Sequence, residues 1–187
     1  MDYGNIKMSR MLHIFLEMGY MDENNKSIVL YGIQRIKNLL MDFMISVICG
    51  WFMGNVLIGI MFEAAFIPLR IYAGGYHAHN RKICIMISWG SIIVCIAVIS
   101  YIPIVLCAQH ILIALSGLYI VFCAPVESSN KPLNRLEKNV FRIRSIRIVI
   151  TEVVVYVFFS VSDILLYSKT ISMAVFLVAI GILKEKI

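Results

Sequence analysis

The chain has 187 residues, 60% of them hydrophobic and only 15% charged, with a mean hydropathy of +0.86. A soluble domain of this size cannot hide that much apolar surface, because much of its exterior must stay wet, whereas a bilayer-embedded protein can. The formal net charge of +6 lies in stretches flanking apolar runs rather than in a separate soluble patch, which argues against nucleic acid as a partner.

Residues 1–25 carry Asp2, Lys7, Arg10, Glu17, Asp22 and Glu23, so no cleavable signal peptide is expected and insertion depends on internal spans. Within them, Ile6, Met8, Met11, Leu12, Phe15 and Met18 recur among the charges. That spacing predicts an amphipathic helix over 5–20, lying on the membrane surface. Ser27–Leu40 is again amphipathic, with Gln34, Arg35 and Lys37 on its polar side. Residues 43–69 are apolar apart from Ser46, Asn55 and Glu63. As one helix they would extend about 40 Å, more than the hydrocarbon needs, so two segments broken near Gly54-Asn55 are expected.

Further spans are expected at 83–100, 104–124, 148–167 and 170–183. The predicted fold is an all-α integral membrane protein with about six membrane segments, some short or re-entrant, plus the N-terminal interfacial helix. It forms a single domain over 1–187. Residues 70–82 hold Arg70, Arg81 and Lys82 and no acid, and 127–147 form an expected basic loop with Lys131, Arg135, Lys138, Arg142, Arg144 and Arg147. The connection 101–111 has no charged side chain of the Lys, Arg, Asp or Glu type. By the positive-inside rule both basic stretches face the cytoplasm and 101–111 faces out.

Cysteines occur at 49, 84, 95, 107 and 123, without a CxxC pair. An odd count at irregular spacing argues against a disulfide framework or a zinc ribbon. Cys84 alone has polar company, in the expected active-site loop 70–84. A thiolate nucleophile needs a neighbouring base or cation, and His77, His79, Arg81 and Lys82 are near it in sequence. From spacing, either histidine can serve as base. If His77 does so within one chain, residues 77–84 are not one straight helix, because seven residues rise about 10.5 Å, beyond hydrogen-bond reach. Pairing between two chains is the other route. Gly74-Gly75 permits unusual dihedrals and close approach of a substrate, with amides for an acyl oxyanion, though the same pair also makes an ordinary tight turn. Glu63, Glu152 and Asp163 lie within or near spans, where a charge is costly unless paired or near an interface. Glu63, seven residues before Arg70 and able to share its helix face, is either a structural partner of a buried cation or a catalytic or relay group.

A second local signal is Ala124-Pro125-Val126-Glu127-Ser128-Ser129-Asn130-Lys131-Pro132-Leu133. Together with Ala73-Gly74-Gly75-Tyr76-His77-Ala78 and the spaced Cys84, it resembles the AgrB family of bacterial quorum-sensing peptidases, over the whole length in order and hydropathy. The resemblance implies a multi-pass protein of the bacterial cell membrane, with its active site at the cytoplasmic face. It implies a cysteine endopeptidase that removes the C-terminal tail of an AgrD-type precursor peptide and promotes its cyclisation to a thiolactone or lactone. On matching positions, Cys84 is nucleophile and His77 is general base, then acid. Arg70, Gly74, Gly75, Gln34, Asn130 and Lys131 support substrate binding or activity. The partners implied are that precursor, the lipid bilayer and, from polar spans and the family, a homodimer. No cofactor and no metal is implied. The basic stretch around Arg135 and Lys138 is expected to attract the precursor's acidic tail. Two other classes are a small membrane transporter or scaffold without proteolytic activity, and a metalloprotease on His77, His79 and Cys84. The latter lacks an HExxH and a general-base Glu.

Overall fold

The computed structural model describes residues 26–75, 81–127 and 134–186, and among these it contains helices and no strand. In chain order they are α1 (Lys26–Phe52), α2 (Val56–Ala73), α3 (Arg81–Tyr101), α4 (Leu106–Cys123), α5 (Arg135–Val161) and α6 (Leu165–Lys186). The amphipathic helix expected over 5–20 lies outside the described residues. Met1–Leu40 and Met41–Ile187 are separate compact units. Of the first, the leading part of α1 is described.

Four helices, α2, α3, α4 and α6, are long and apolar enough to cross a membrane. This is an all-α membrane protein. The other two helices are built differently. α1 and α5 have 27 residues each, with basic residues gathered in the first half and a second half that is largely apolar but carries one acid, Asp42 in α1 and Glu152 in α5. The stretch expected as a basic loop over 127–147 is therefore helical from Arg135 onward. The Asn134 N–H donates to the Glu137 carboxylate at 2.9 Å, which starts the helix, and no Gly or Pro interrupts the chain before Val161. The span expected over 148–167 likewise stops at Val161. Asp163 takes φ 58°, a left-handed conformation that a short polar side chain tolerates, and α6 begins at Leu165.

The expected break near Gly54-Asn55 is present. Gly54 has φ 84°, and the Asn55 side chain accepts from the Leu57 N–H at 3.0 Å, capping α2. The two helices then meet through small residues. Ser46 Oγ donates to the Gly59 carbonyl at 2.9 Å, and Gly50 lies against the backbone of Asn55 and Gly59. Small residues let helix backbones approach where lipid supplies no hydrophobic drive.

The core gathers on α6. Ile171, Ala174, Val175, Val178 and Ile182 are buried, and the helix packs against α2, α3, α4 and α5. Its first turns are polar and hold the α3–α4 turn: Lys169 Nζ donates to the Ile102 carbonyl at 3.1 Å. Ser168 Oγ donates to Gln109 Oε1 at 3.0 Å, and Gln109 Nε2 to the Ile104 carbonyl at 2.8 Å. Carbonyls freed at a helix end need such partners away from water.

A Cβ on Gly59 would overlap the Ser46 carbonyl, whereas one on Gly90 of α3 meets nothing within 4 Å. Gly59→Ala is therefore expected to destabilise by on the order of 1–3 kcal/mol, read as a lower melting temperature in detergent. Gly90→Ala should leave that temperature unchanged or raise it.

Candidate active site at the Gly74–Gly75 turn

α2 stops because of its last residues. Gly74 turns out of the helix at φ 84° and Gly75 follows at φ 142°, conformations open to glycine and strained for other residues. At this turn the two sequence motifs meet. The Val126 N–H donates to the Ala73 carbonyl at 3.0 Å, and a Cβ on Gly74 would come within 2.5 Å of the Val126 carbonyl oxygen. Two backbone segments thus lie side by side with no room for a side chain between them.

Arg70, one turn earlier, folds back over the helix end. Its Nη1 donates to the Gly74 carbonyl at 3.4 Å, a long bond by ordinary geometry. A Cβ on Gly75 would overlap that same guanidinium nitrogen, and the α6 backbone at Gly181 lies just beyond. Gly75 is buried. Its missing side chain is the space that the guanidinium occupies.

The first half of α5 braces both segments. Arg144 Nη1 donates to the Tyr72 hydroxyl at 2.9 Å and its guanidinium carbon lies 5.1 Å from the Tyr72 ring centre. Phe141 meets that ring edge-on at 5.6 Å. Lys138 forms an ion pair with Glu127 at 2.8 Å, just beyond Val126. Lys138 was expected to attract an acidic tail; here it ties the Ala124–Glu127 loop to α5. Exposed pairs of this kind are each worth little, so the brace depends on their acting together with the aromatic contact.

Cys84 stands in the first turn of α3, half-buried. His77, Asn130 and Lys131 fall outside the described residues, as does His79. Gly75 and Arg81 bound the His77 segment. Gln34 is half-buried on α1, within the Met1–Leu40 unit. Glu63 lies seven residues before Arg70 on α2 and is fully buried. Among the described residues, neither of its carboxylate oxygens has a hydrogen-bond partner. Pairing of Glu63 with a buried cation is thus not seen as a hydrogen bond; the Arg70 guanidinium turns the other way, to the helix end.

A family model, Accessory gene regulator B, matches residues 9–182. The chain belongs to that family. No curated protein and no solved structure matches it. Membership in the accessory gene regulator B family places this membrane protein in quorum-sensing peptide processing, an enzymatic role in which its partner is a peptide precursor. Within this family member, the residues that sequence reasoning did not single out are Tyr72, Val126, Phe141 and Arg144. Tyr72 lies inside the Arg70–Cys84 island and Val126 inside the second motif, so both were in view without a role. Arg144 reads only as a charge of the expected basic loop and Phe141 gives no local signal, since their partners are distant in sequence.

Gly75→Ala is expected to displace the Arg70 guanidinium and lower precursor processing by roughly tenfold or more, at a stability cost of about 1–3 kcal/mol. Western analysis of co-expressed precursor and a melting curve read the two effects. Tyr72→Phe should remove only the hydroxyl's bond from Arg144, about 1 kcal/mol, and reduce processing less than Gly75→Ala does.

Proposed function

We propose that this chain is a membrane-embedded cysteine endopeptidase that removes the C-terminal tail of an AgrD-type precursor and releases a cyclic thiolactone or lactone peptide. The observation that carries the reading is the bond between Ala73 and Val126. It joins both family motifs at one turn, and the next described helix opens with Cys84 in its first turn.

In this mechanism the Cys84 thiolate attacks the carbonyl carbon of the peptide bond preceding the tail. The C–N bond breaks, His77 gives a proton to the leaving amine, and the precursor remains on Cys84 as a thioester. An internal thiol or hydroxyl of the precursor then loses its proton to His77 and attacks the thioester carbonyl. The C–S bond to Cys84 breaks, closing the ring and restoring the thiolate. With a thiol the second step exchanges one thioester for another, so it is near balance and is drawn forward by departure of the tail or the product. A site at the membrane keeps water scarce, which favours the tethered nucleophile over hydrolysis. Arg70 fixes the Gly74–Gly75 turn, and in this mechanism the turn's amides serve the developing oxyanion. Gln34, Asn130 and Lys131 contribute to holding the precursor at the cytoplasmic face.

One observation favours a second reading, a small transporter or scaffold: the fully buried carboxyl of Glu63 within a span, with no hydrogen-bond partner among the described residues, a feature common on ion pathways. The two readings separate by mutation. Cys84→Ala and His77→Ala should each reduce precursor cleavage by on the order of a thousandfold or more while the protein still inserts. Glu63→Gln should still process the precursor. Normal cleavage by Cys84→Ala, or its loss in Glu63→Gln with insertion intact, would sink the endopeptidase reading. Trapping an acyl adduct on Cys84 by mass spectrometry identifies the intermediate directly.

A further inference from the structure

The first half of α5 has an outer face that the processing reaction does not use. Leu136, Val140 and Ile143 are exposed there, Leu136 at 80%. Steps of three and four residues continue the same stripe through Arg147 to Ile150, Val154 and Val157, all exposed. The opposite face of the helix carries Ser145, Val149, Glu152 and Tyr156 and is buried. The outward stripe is therefore one surface along the whole helix. Its second half is apolar and exposed, the kind of surface that lipid would cover in a membrane protein.

Depth follows from the helix rise. With Val161 at the outer hydrocarbon boundary, Arg147 lies about 21 Å along the axis, roughly 9 Å inside the opposite boundary of a core about 30 Å thick. Arg142 is about 28 Å along, close to that boundary, and Arg135 about 39 Å along, among the headgroups. Arg135 and Arg142 flank the stripe on one side and Arg147 lies within it. All three are exposed, and among the described residues none has an ion-pair partner. A guanidinium on a lipid-facing stripe extends its stem along the apolar surface and places its charged end at the phosphates.

We propose that the outer face of α5 binds the headgroup of an anionic phospholipid, with Arg142 and Arg147 on the phosphate and the Ile150–Val154–Val157 stripe against the acyl chains. Three cations with no ion-pair partner among the described residues favour a lipid of net negative charge over a zwitterion, whose own ammonium competes for the phosphate. Continuity with the lipid-facing half of the same helix selects the bilayer over a peptide as the occupant. The bound lipid holds the half of α5 whose inner side reaches Tyr72 and Glu127.

The test uses the full chain in detergent, titrated with phosphatidylglycerol or phosphatidylcholine and followed by native mass spectrometry. The wild type should retain phosphatidylglycerol in preference to phosphatidylcholine. The double variant Arg142→Gln/Arg147→Gln should weaken that retention by roughly tenfold or more, and the Arg142→Lys/Arg147→Lys pair, which keeps the charge, should recover most of it. Equal retention of the two lipids, or unchanged retention by the glutamine variant, overturns the proposal. So does displacement of the lipid by millimolar inorganic phosphate, which would make the site one for a free anion. If the glutamine variant loses cleavage of the precursor in lipid-free detergent while keeping phosphatidylglycerol, the face belongs to the peptide's acidic tail and the lipid proposal fails.

Discussion

The bond from the Val126 N–H to the Ala73 carbonyl is the constraint on which the candidate site depends. It requires two backbone segments, more than fifty residues apart, to touch with nothing between them. Gly74 makes this feasible by having no side chain and by accepting a positive φ. Beside that contact, Arg70 lies across the helix end and in the gap left by Gly75. The turn is thus a packed unit in which backbone, glycine and guanidinium each exclude alternatives for the others.

That unit is held by helices of two kinds. α6 supplies a wall at Gly181 and, at its other end, hydrogen bonds that fix the α3–α4 turn. It does so as a buried apolar helix with polar first turns, an arrangement suited to a medium in which unsatisfied groups are expensive. α5 supplies braces from its charged half, at Tyr72 and at Glu127. These are individually weak and exposed, so the site combines a rigid inner wall with a looser outer one.

Much of this was legible from residue order. Gly54-Asn55 announced the break between α1 and α2, and the apolar runs announced α3 and α4, because a long hydropathic span bounded by Gly, Asn or Pro leaves few alternatives. The two motifs were visible as departures from that background. What composition concealed was α5. A dense run of Arg and Lys reads as a loop beside a membrane, yet these residues are good helix formers, and their charges decide only which medium surrounds them. The pairing of the motifs was also hidden, since the contact is made by backbone atoms that carry no residue identity. Glu63 shows the reverse case. Its spacing from Arg70 suggested a partner, but the guanidinium is drawn to the helix terminus by carbonyls that spacing does not reveal.

Gly75 and Arg70 have a consequence for how this sequence can change. The Cβ that Gly75 lacks and the guanidinium that Arg70 extends fill a single volume, so the two positions share one allotment of space. A long cation can persist at 70 only while 75 remains bare, and at φ 142° the backbone of 75 resists a side chain even where 70 is short. Among relatives, 75 is expected to stay glycine wherever 70 keeps its long cation. A glycine that looks like a simple turn former is, in this chain, the receptacle for its neighbour's charge.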